Sequence, residues 1–261
     1  MKKQDGETVM NTERREEIKE LLRERGEVKL KDLEQHFPDC SSMTLRRDLK
    51  YLEDNGYVKR TRGGAVAMSR LSIAAEDIYS ERALENVAEK YAIAKKALQF
   101  SERGRSIYVD AGTTLMLFTR EMEDEYLSIM TSGVNIAMEL IKKQKPSVTL
   151  IGGQVNRNTI SVSGINSCNF IREVNIDIAF MAASGFSVEN GFTSGTYTEC
   201  EIKKEVVNRA RKTIVLMDSK KIDKIMPFTY AYMEDIDVLV SDDDLDEEIV
   251  REAKRRNVQI V

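Results

Sequence analysis

The residues best suited to chemistry fall into two clusters of different character. The first is basic. Arg46, Arg47 and Lys50 follow Ser42, Met43 and Thr44, and Lys59, Arg60 and Arg62 come shortly after. Arginine forms bidentate bonds with guanine edges, lysine neutralises phosphate as a point charge, and small hydroxyls add short donors. The second cluster is small and hydroxylated: Asp110-Ala111-Gly112-Thr113-Thr114, then Thr131-Ser132-Gly133, then Gly152-Gly153. Backbone N–H groups and hydroxyls at such turns converge on an anion or a polyol. Taken singly, each glycine is an ordinary turn residue. Three such turns behind successive strands point to one pocket. Asp110, Asp177, Glu199 and Asp218 could move protons, but an acid at a strand end more often accepts hydrogen bonds from sugar hydroxyls.

Other chemistries lack their residues. The one histidine, His36, lies in the basic half, away from the second cluster. No GxxxxGK[ST] or GxGxxG run is present, which disfavours nucleoside triphosphates and dinucleotides. Cys40, Cys168 and Cys200 form no CxxC pair and no disulfide framework. Neither a metal nor a cofactor is expected.

The basic cluster needs a rigid support, and the flanking pattern supplies one. Ile18, Leu21 and Leu22 give residues 13–25 an apolar stripe at helical spacing, and Gly26 stops it. Leu30, Leu33 and Phe37 mark a second short helix, which Pro38 ends. A third opens at Ser41 or Ser42 and runs to Asn55-Gly56, a left-handed stop. At about 100° per residue, Leu45, Leu49 and Leu52 share one narrow arc, while Met43, Arg47, Lys50 and Asp54 fall nearly opposite and Arg46 on the flank. An alternating run, 57–62, and the turn Gly63-Gly64 complete a winged helix-turn-helix. The second cluster needs strand ends. Apolar runs at 106–109, 127–131, 148–151, 176–182, 213–217, 238–241 and 258–261 alternate mostly with helical stretches at 115–122, 134–143, 199–211 and 246–256. That alternation predicts an α/β domain with a mainly parallel sheet, whose ligands bind beyond the carboxyl ends of the strands. Residues 85–100 form a further helix, its stripe made by Val87, Tyr91, Ile93, Ala94 and Leu98. The expected organisation is a DNA-binding domain at 10–66, a linker at 67–82 and an effector-binding domain at 83–261.

Bulk composition sets limits. Of 261 residues, 40 are Lys or Arg and 44 are Asp or Glu, a net charge of -4. A globally basic chromatin binder is excluded, but residues 41–66 hold six basic against three acidic side chains, a local +3. Hydrophobic residues make up 41%, enough for a packed core. No run approaches a membrane span, and the polar N-terminus lacks a secretory signal, so a cytoplasmic protein with no membrane partner is expected.

The run Ser41-Ser42-Met43-Thr44-Leu45-Arg46-Arg47-Asp48-Leu49, then Leu52-Glu53-Asp54-Asn55-Gly56 and Arg62-Gly63-Gly64-Ala65, resembles the DNA-binding signature of the DeoR family of bacterial transcription regulators. Leu45 and Arg62 stand where that family commonly has isoleucine and histidine. The resemblance continues through Glu89-Lys90-Tyr91-Ala92-Ile93-Ala94, Asp110 to Thr114, Gly152-Gly153, Ser163-Gly164, Asp177 with Ala179-Phe180, Gly185, Gly191 with Thr193, and Asp218-Ser219-Lys220-Lys221. It departs at Ser132, where the family often has asparagine, and at Ala182 or Ala183, where it has glycine. The resemblance implies a C-terminal sensor with the fold of sugar-phosphate isomerases, tuned to a phosphorylated sugar or a related metabolite. It also implies that Gly112, Thr113 and Thr114 hold the phosphate, with Lys221 as cationic partner. Asp110, Ser132, Gly133, Gly152, Gly153 and Glu199 complete the expected effector site. A repressor of sugar-metabolism genes, working as a homodimer or homotetramer on an operator, is the resulting expectation. An isomerase or deaminase with an appended DNA-binding domain, and a purely structural second domain, are the alternatives.

Overall fold

The computed structural model describes residues 14–22, 25–55, 57–67 and 78–261. The chain divides into two compact units, Met1–Ala75 and Glu76–Val261. Of the expected linker, residues 68–77 lie outside the described residues. Tyr79–Arg82, expected to be linker as well, forms a helical turn.

The first unit begins with helix α1 at 14–22. Strand β1 (Glu27–Lys29), helix α2 (Leu30–His36), helix α3 (Ser42–Asp54) and strands β2 (Val58–Thr61) and β3 (Gly64–Ala67) follow. The strands form an antiparallel sheet in the order β1-β3-β2. Ile18, Leu22, Leu33, Leu45, Leu49, Leu52 and Val58 meet in one apolar cluster. Burying each leucine is worth roughly 1.5–3 kcal/mol, so the three on α3 fix which way that helix faces. Gly64 is demanded by close approach: a Cβ there would lie 1.9 Å from the Val28 carbonyl oxygen, so a side chain would keep β3 off β1. Strand β1 was not expected, because a three-residue strand with one apolar side chain leaves no period to count. Of the two serine candidates, Ser41 caps α3, its Oγ accepting the Thr44 N–H at 3.2 Å. The stop is not left-handed at Asn55, where φ is -96°; Gly56 lies outside the described residues. Asn55 instead turns its Nδ2 onto the Tyr51 carbonyl at 2.7 Å, satisfying one of the orphan acceptors at the helix end.

The second unit starts with α4 (Tyr79–Arg82) and α5 (Val87–Ala97). Then come β4 (Ser106–Val109), α6 (Thr113–Glu121), β5 (Ser128–Thr131), α7 (Val134–Leu140) and β6 (Ser147–Leu150). A hairpin, β7 (Gln154–Asn156) and β8 (Ser161–Ser163), leads to α8 (Ile165–Glu173), β9 (Ile176–Ala182), β10 (Gly185–Ser187) and β11 (Gly191–Ser194). Last are α9 (Tyr197–Arg209), β12 (Ala210–Leu216), β13 (Phe228–Ala231), β14 (Val238–Val240), α10 (Glu247–Arg255) and β15 (Gln259–Ile260). Seven strands form a parallel sheet in the order β15-β14-β12-β9-β4-β5-β6. Alternate residues feed two cores: Ile107, Val109, Ile178, Phe180, Ile214 and Leu216 face one, Tyr108, Ala179, Met181 and Val215 the other. Both faces are therefore covered, as a parallel sheet requires. From β4 the chain winds outward through β5 and β6, then resumes at β9 on the other side of β4. The carboxyl ends of β4 and β9 thus flank a switch point in strand order, the place where such sheets open a crevice.

Two sequence expectations fail in this unit. Val87 and Tyr91 are exposed, and the buried side of α5 is made by Lys90, Ile93, Ala94 and Ala97. Lys90 is inside because its ammonium serves two backbone carbonyls, which periodicity cannot see. The helix α8 and the small antiparallel sheet β10-β11-β13 were also not anticipated. Among the described residues, no helix is long and apolar enough to cross a membrane.

Candidate functional site

On α3 the leucine face is reinforced by a buried acid. Asp48 is only 1% exposed, and both its oxygens are taken by α1: Arg14 Nε at 2.6 Å and Arg15 Nε at 2.7 Å. The Arg15 guanidinium also stacks 3.9 Å over the Tyr51 ring. Asp48 consequently holds α3 to α1 and leaves the helix's outer cations unneutralised. Arg46, Arg47, Lys50 and Arg62 are exposed and make no ion pair among the described residues. Met43 stands out at the start of the helix, 62% exposed. The remaining expected contacts are already engaged within the unit. Ser42 donates to Glu34, and Thr44 Oγ1 pairs with Ser41 Oγ at 2.9 Å. Glu53 accepts Arg60 through both its N–H, at 3.0 Å, and its Nε, at 2.8 Å, with Lys59 at 3.6 Å. Arg60 beside it holds the Glu53 carboxyl below its ordinary pKa. His36 ends α2 and pairs with Glu17 at 2.7 Å.

In the second unit a cleft opens at the switch point. Asp110 ends β4 and is 3% exposed. Its Oδ1 accepts the Ala111 N–H at 2.9 Å and the Ser132 hydroxyl at 3.3 Å; its Oδ2 accepts the Ala182 N–H at 3.1 Å and the ammonium of Lys203. One carboxylate therefore ties together the ends of β4, β5 and β9. Lys203, 7% exposed, also donates to the Ala182 carbonyl at 2.8 Å. That carbonyl takes Tyr230 Oη as well, at 3.1 Å; burial keeps the Tyr230 phenol protonated by raising its pKa well above the usual value. Glu199 sits one helical turn before Lys203 on α9. Three hydroxyls hold it: Thr159 at 2.6 Å, Thr196 at 3.1 Å, and Ser161. Gly112 opens α6 at φ +150°, and the Thr113 and Thr114 side chains are buried at the cleft wall. Lys221 closes the other side, its Nζ bonded to the Ala183 carbonyl at 2.8 Å. The cleft is thus preorganised, with hydroxyls and a helix start at its rim and with its buried charges paired. The cavity left between them is about 30 Å³.

Both units now have counterparts among known proteins. Residues 14–70 match the family model of the DeoR-like helix-turn-helix domain, and residues 85–243 match that of the DeoR C terminal sensor domain. The chain belongs to the DeoR family. Relatives in this DeoR-family set align nearly end to end. The HTH-type transcriptional regulator GolR of Listeria innocua is 32% identical over 92% of this chain and 93% of its own. The HTH-type transcriptional regulator GlpR of Haloferax volcanii is 30% identical over 97% of this chain and 98% of its own. A putative aga operon transcriptional repressor of Escherichia coli O157:H7 is 26% identical over 96% and 93%. Among solved structures, a ribose 5-phosphate isomerase A from Methanocaldococcus jannaschii covers 53% of this chain and 55% of that chain, at 20% identity and a TM-score of 0.40, a likeness too partial to bear on function.

Within this DeoR-family sensor unit, Asp110, Gly112, Thr113, Thr114, Ser132, Glu199 and Lys221 line the cleft as expected from sequence. Gly133, Gly152 and Gly153 do not. Gly133 sits tight against Ile136 and bridges to Ser161. Gly153 lets the chain pass β8: a Cβ there would lie 2.5 Å from the Ser163 carbonyl oxygen, at a φ of +152°. The Gly152 carbonyl accepts the Ser167 hydroxyl of α8. Gly153 thus serves chain packing, whereas a Cβ at Gly152 would meet nothing within 4 Å. Lys203, Thr159, Ser161 and Arg82 line the cleft and were missed. The Glu199–Lys203 spacing of four residues on a helix was the available signal for Lys203. Nothing local marked Thr159, Ser161 or Arg82.

Proposed function

We propose that this chain is a sequence-specific DNA-binding transcriptional regulator, a repressor of sugar-metabolism genes, governed by a phosphorylated sugar bound in the second unit. The observation that carries the DNA reading is the state of α3: anchored by Leu45, Leu49, Leu52 and Asp48, with Arg46, Arg47 and Lys50 exposed and unpaired. Arg46 and Arg47 read base edges, while Lys50, Lys59, Arg60 and Arg62 meet phosphates. Ser42 and Thr44 add hydroxyls, and Met43 offers an apolar contact of the kind that suits a thymine methyl. One such helix reads few base pairs, so a homodimer or homotetramer on a two-fold operator follows, in the cytoplasm where DNA is. The names of GolR, GlpR and the putative aga operon repressor support a regulator. The enzyme alternative finds less support, because Asp110 and Glu199 are committed to protein donors rather than standing ready as bases.

In the cleft, Gly112, Thr113 and Thr114 hold the effector's phosphate at the start of α6, with Lys221 beside it; Asp110, Ser132 and Glu199 take sugar hydroxyls. An effector that releases the operator binds the DNA-free form more tightly. The test is a gel-shift titration on the chain's own promoter region. Arg47→Ala weakens the shift, and unaltered binding refutes the DNA face. Thr113→Val preserves the shift and abolishes its response to sugar phosphate; a persisting response places the effector elsewhere.

A further inference from the structure

The second unit begins at Glu76, and its first described element is the short helix α4. Both ends of that helix are held. At its start the Tyr79 N–H donates to the Asn158 carbonyl at 2.7 Å. At its end the Arg82 carbonyl accepts the ammonium of the buried Lys90. Asn158 belongs to the turn between β7 and β8, and that turn is also a wall of the cleft. Thr159 and Ser161 line the cleft and donate to one and the same oxygen of Glu199, Oε1. The carbonyl that fastens α4 is therefore the immediate neighbour of a hydroxyl that holds Glu199.

Between those two hydroxyls stands Ile160, at φ +53°. A β-branched residue is strained in left-handed backbone, and the strain persists only while neighbours impose it. Here the Ile160 carbonyl accepts the Val134 N–H at 3.0 Å, the Ser132 carbonyl accepts the Val162 N–H at 2.8 Å, and Glu199 takes the flanking hydroxyls. The cavity beside Glu199, at about 30 Å³, has room for little more than one water. A sugar whose hydroxyl reaches Glu199 therefore needs a wall to yield. The strand ends are pinned, since Asp110 ties β4, β5 and β9 together. The turn is irregular and already strained. Its two hydroxyls fill both lone pairs of Oε1, so a sugar hydroxyl that bonds there displaces Thr159 or Ser161.

We propose that the turn at 158–161 couples the effector site to the DNA-binding unit. A sugar hydroxyl on Glu199 releases Thr159 or Ser161, and the backbone relaxes at Ile160. The Asn158 carbonyl then shifts beneath the Tyr79 N–H and moves α4, the element through which the chain of the first unit enters the second. This inference rests on the reading of the cleft as the effector site. It gives that site a route of named bonds by which its occupancy is felt on DNA.

Tyr79→Pro on the full chain tests it. Tyr79 is the first residue of α4, where proline is tolerated, and Ile78 before it, at φ -56° and ψ 140°, has the extended backbone a following proline requires. The substitution removes the N–H and keeps the helix start; Tyr79→Ala removes the same side chain and keeps the N–H. Fructose 1-phosphate, fructose 6-phosphate, glucose 6-phosphate and ribose 5-phosphate are the probes, read by calorimetry on the protein alone and by operator affinity with and without probe. With a probe that binds, the unaltered chain and Tyr79→Ala change their operator affinity about fivefold or more. In Tyr79→Pro that change shrinks below about twofold, while probe affinity and probe-free operator affinity stay within about threefold of the unaltered chain. A response that survives in Tyr79→Pro, that is lost equally in Tyr79→Ala, or that disappears together with probe binding overturns the relay. Deuterium exchange on the unaltered chain makes the test independent of how the variants fold: probe speeds exchange in peptides spanning 156–162 and 78–82 alike, and a change absent from the second overturns the relay. A chain that shifts operator DNA yet binds none of the probes, or binds one with no change in operator affinity, overturns the effector reading itself, and the relay falls with it.

Discussion

The α3 surface and the switch-point cleft are both rich in charge, and they treat it in opposite ways. On α3 the cations Arg46, Arg47 and Lys50 stand in water without partners, over a dry floor of leucines and one paired aspartate. In the cleft, Asp110 and Lys203 are desolvated and bound to each other, and Glu199 is wrapped in hydroxyls. The contrast follows from the partner each must meet. A long polyanion brings its own charge to a solvated surface, where an unpaired arginine costs little to keep. A small ligand must enter a low-dielectric crevice, where an unpaired charge costs several kcal/mol and is tolerated only when already satisfied.

That contrast can be broken at four points. The largest effect is expected at Lys203→Met, which strands the Asp110 carboxylate in the interior and lowers stability by about 3–5 kcal/mol, read as a fall in the melting temperature of the second unit's transition. A loss under 1 kcal/mol would mean that the pair is not truly desolvated. Leu49→Ala comes next, at about 2–5 kcal/mol in the first unit, because it opens a cavity beneath the outer cations. Arg47→Ala belongs to the other regime. It leaves the melting curve in place and weakens operator binding by about 1–3 kcal/mol, with relaxed selectivity at one base position in a competition assay. The smallest effect has the opposite sign. Glu53→Gln releases Arg60 and Lys59 and tightens DNA binding by less than Arg47→Ala weakens it, because an exposed ion pair is worth little; weaker binding would show that Glu53 orients Arg60 rather than competing for it.

Sequence reasoning reached the two regions unequally, for the same physical reason. The α3 face is local: leucines at positions 45, 49 and 52 lie within three turns, so one period gives both the buried stripe and its opposite. Strand ends were also legible, and with them Asp110, Gly112, Thr113 and Ser132. The cleft's other half is assembled from distant chain. Lys203 reaches Asp110 across 93 positions, and Thr159 reaches Glu199 across 40. No periodicity couples such residues. Gly153 misled because a glycine that lets two strands pass and one that cradles a ligand look alike in a sequence. Val87, Tyr91 and Lys90 misled because hydropathy assigns a lysine to water, whereas this one serves the Arg82 carbonyl at the end of α4 and the Glu85 carbonyl beyond it.

The clasp of Glu53 on the wing has a consequence for how the protein should respond to salt. When Arg60 grips a phosphate it exchanges one anion for another, and a carboxylate is freed in place of a loosely held chloride. The dependence of operator affinity on ionic strength should therefore be shallower than six basic side chains in residues 41–66 would suggest, and it should steepen by up to about one ion in Glu53→Gln.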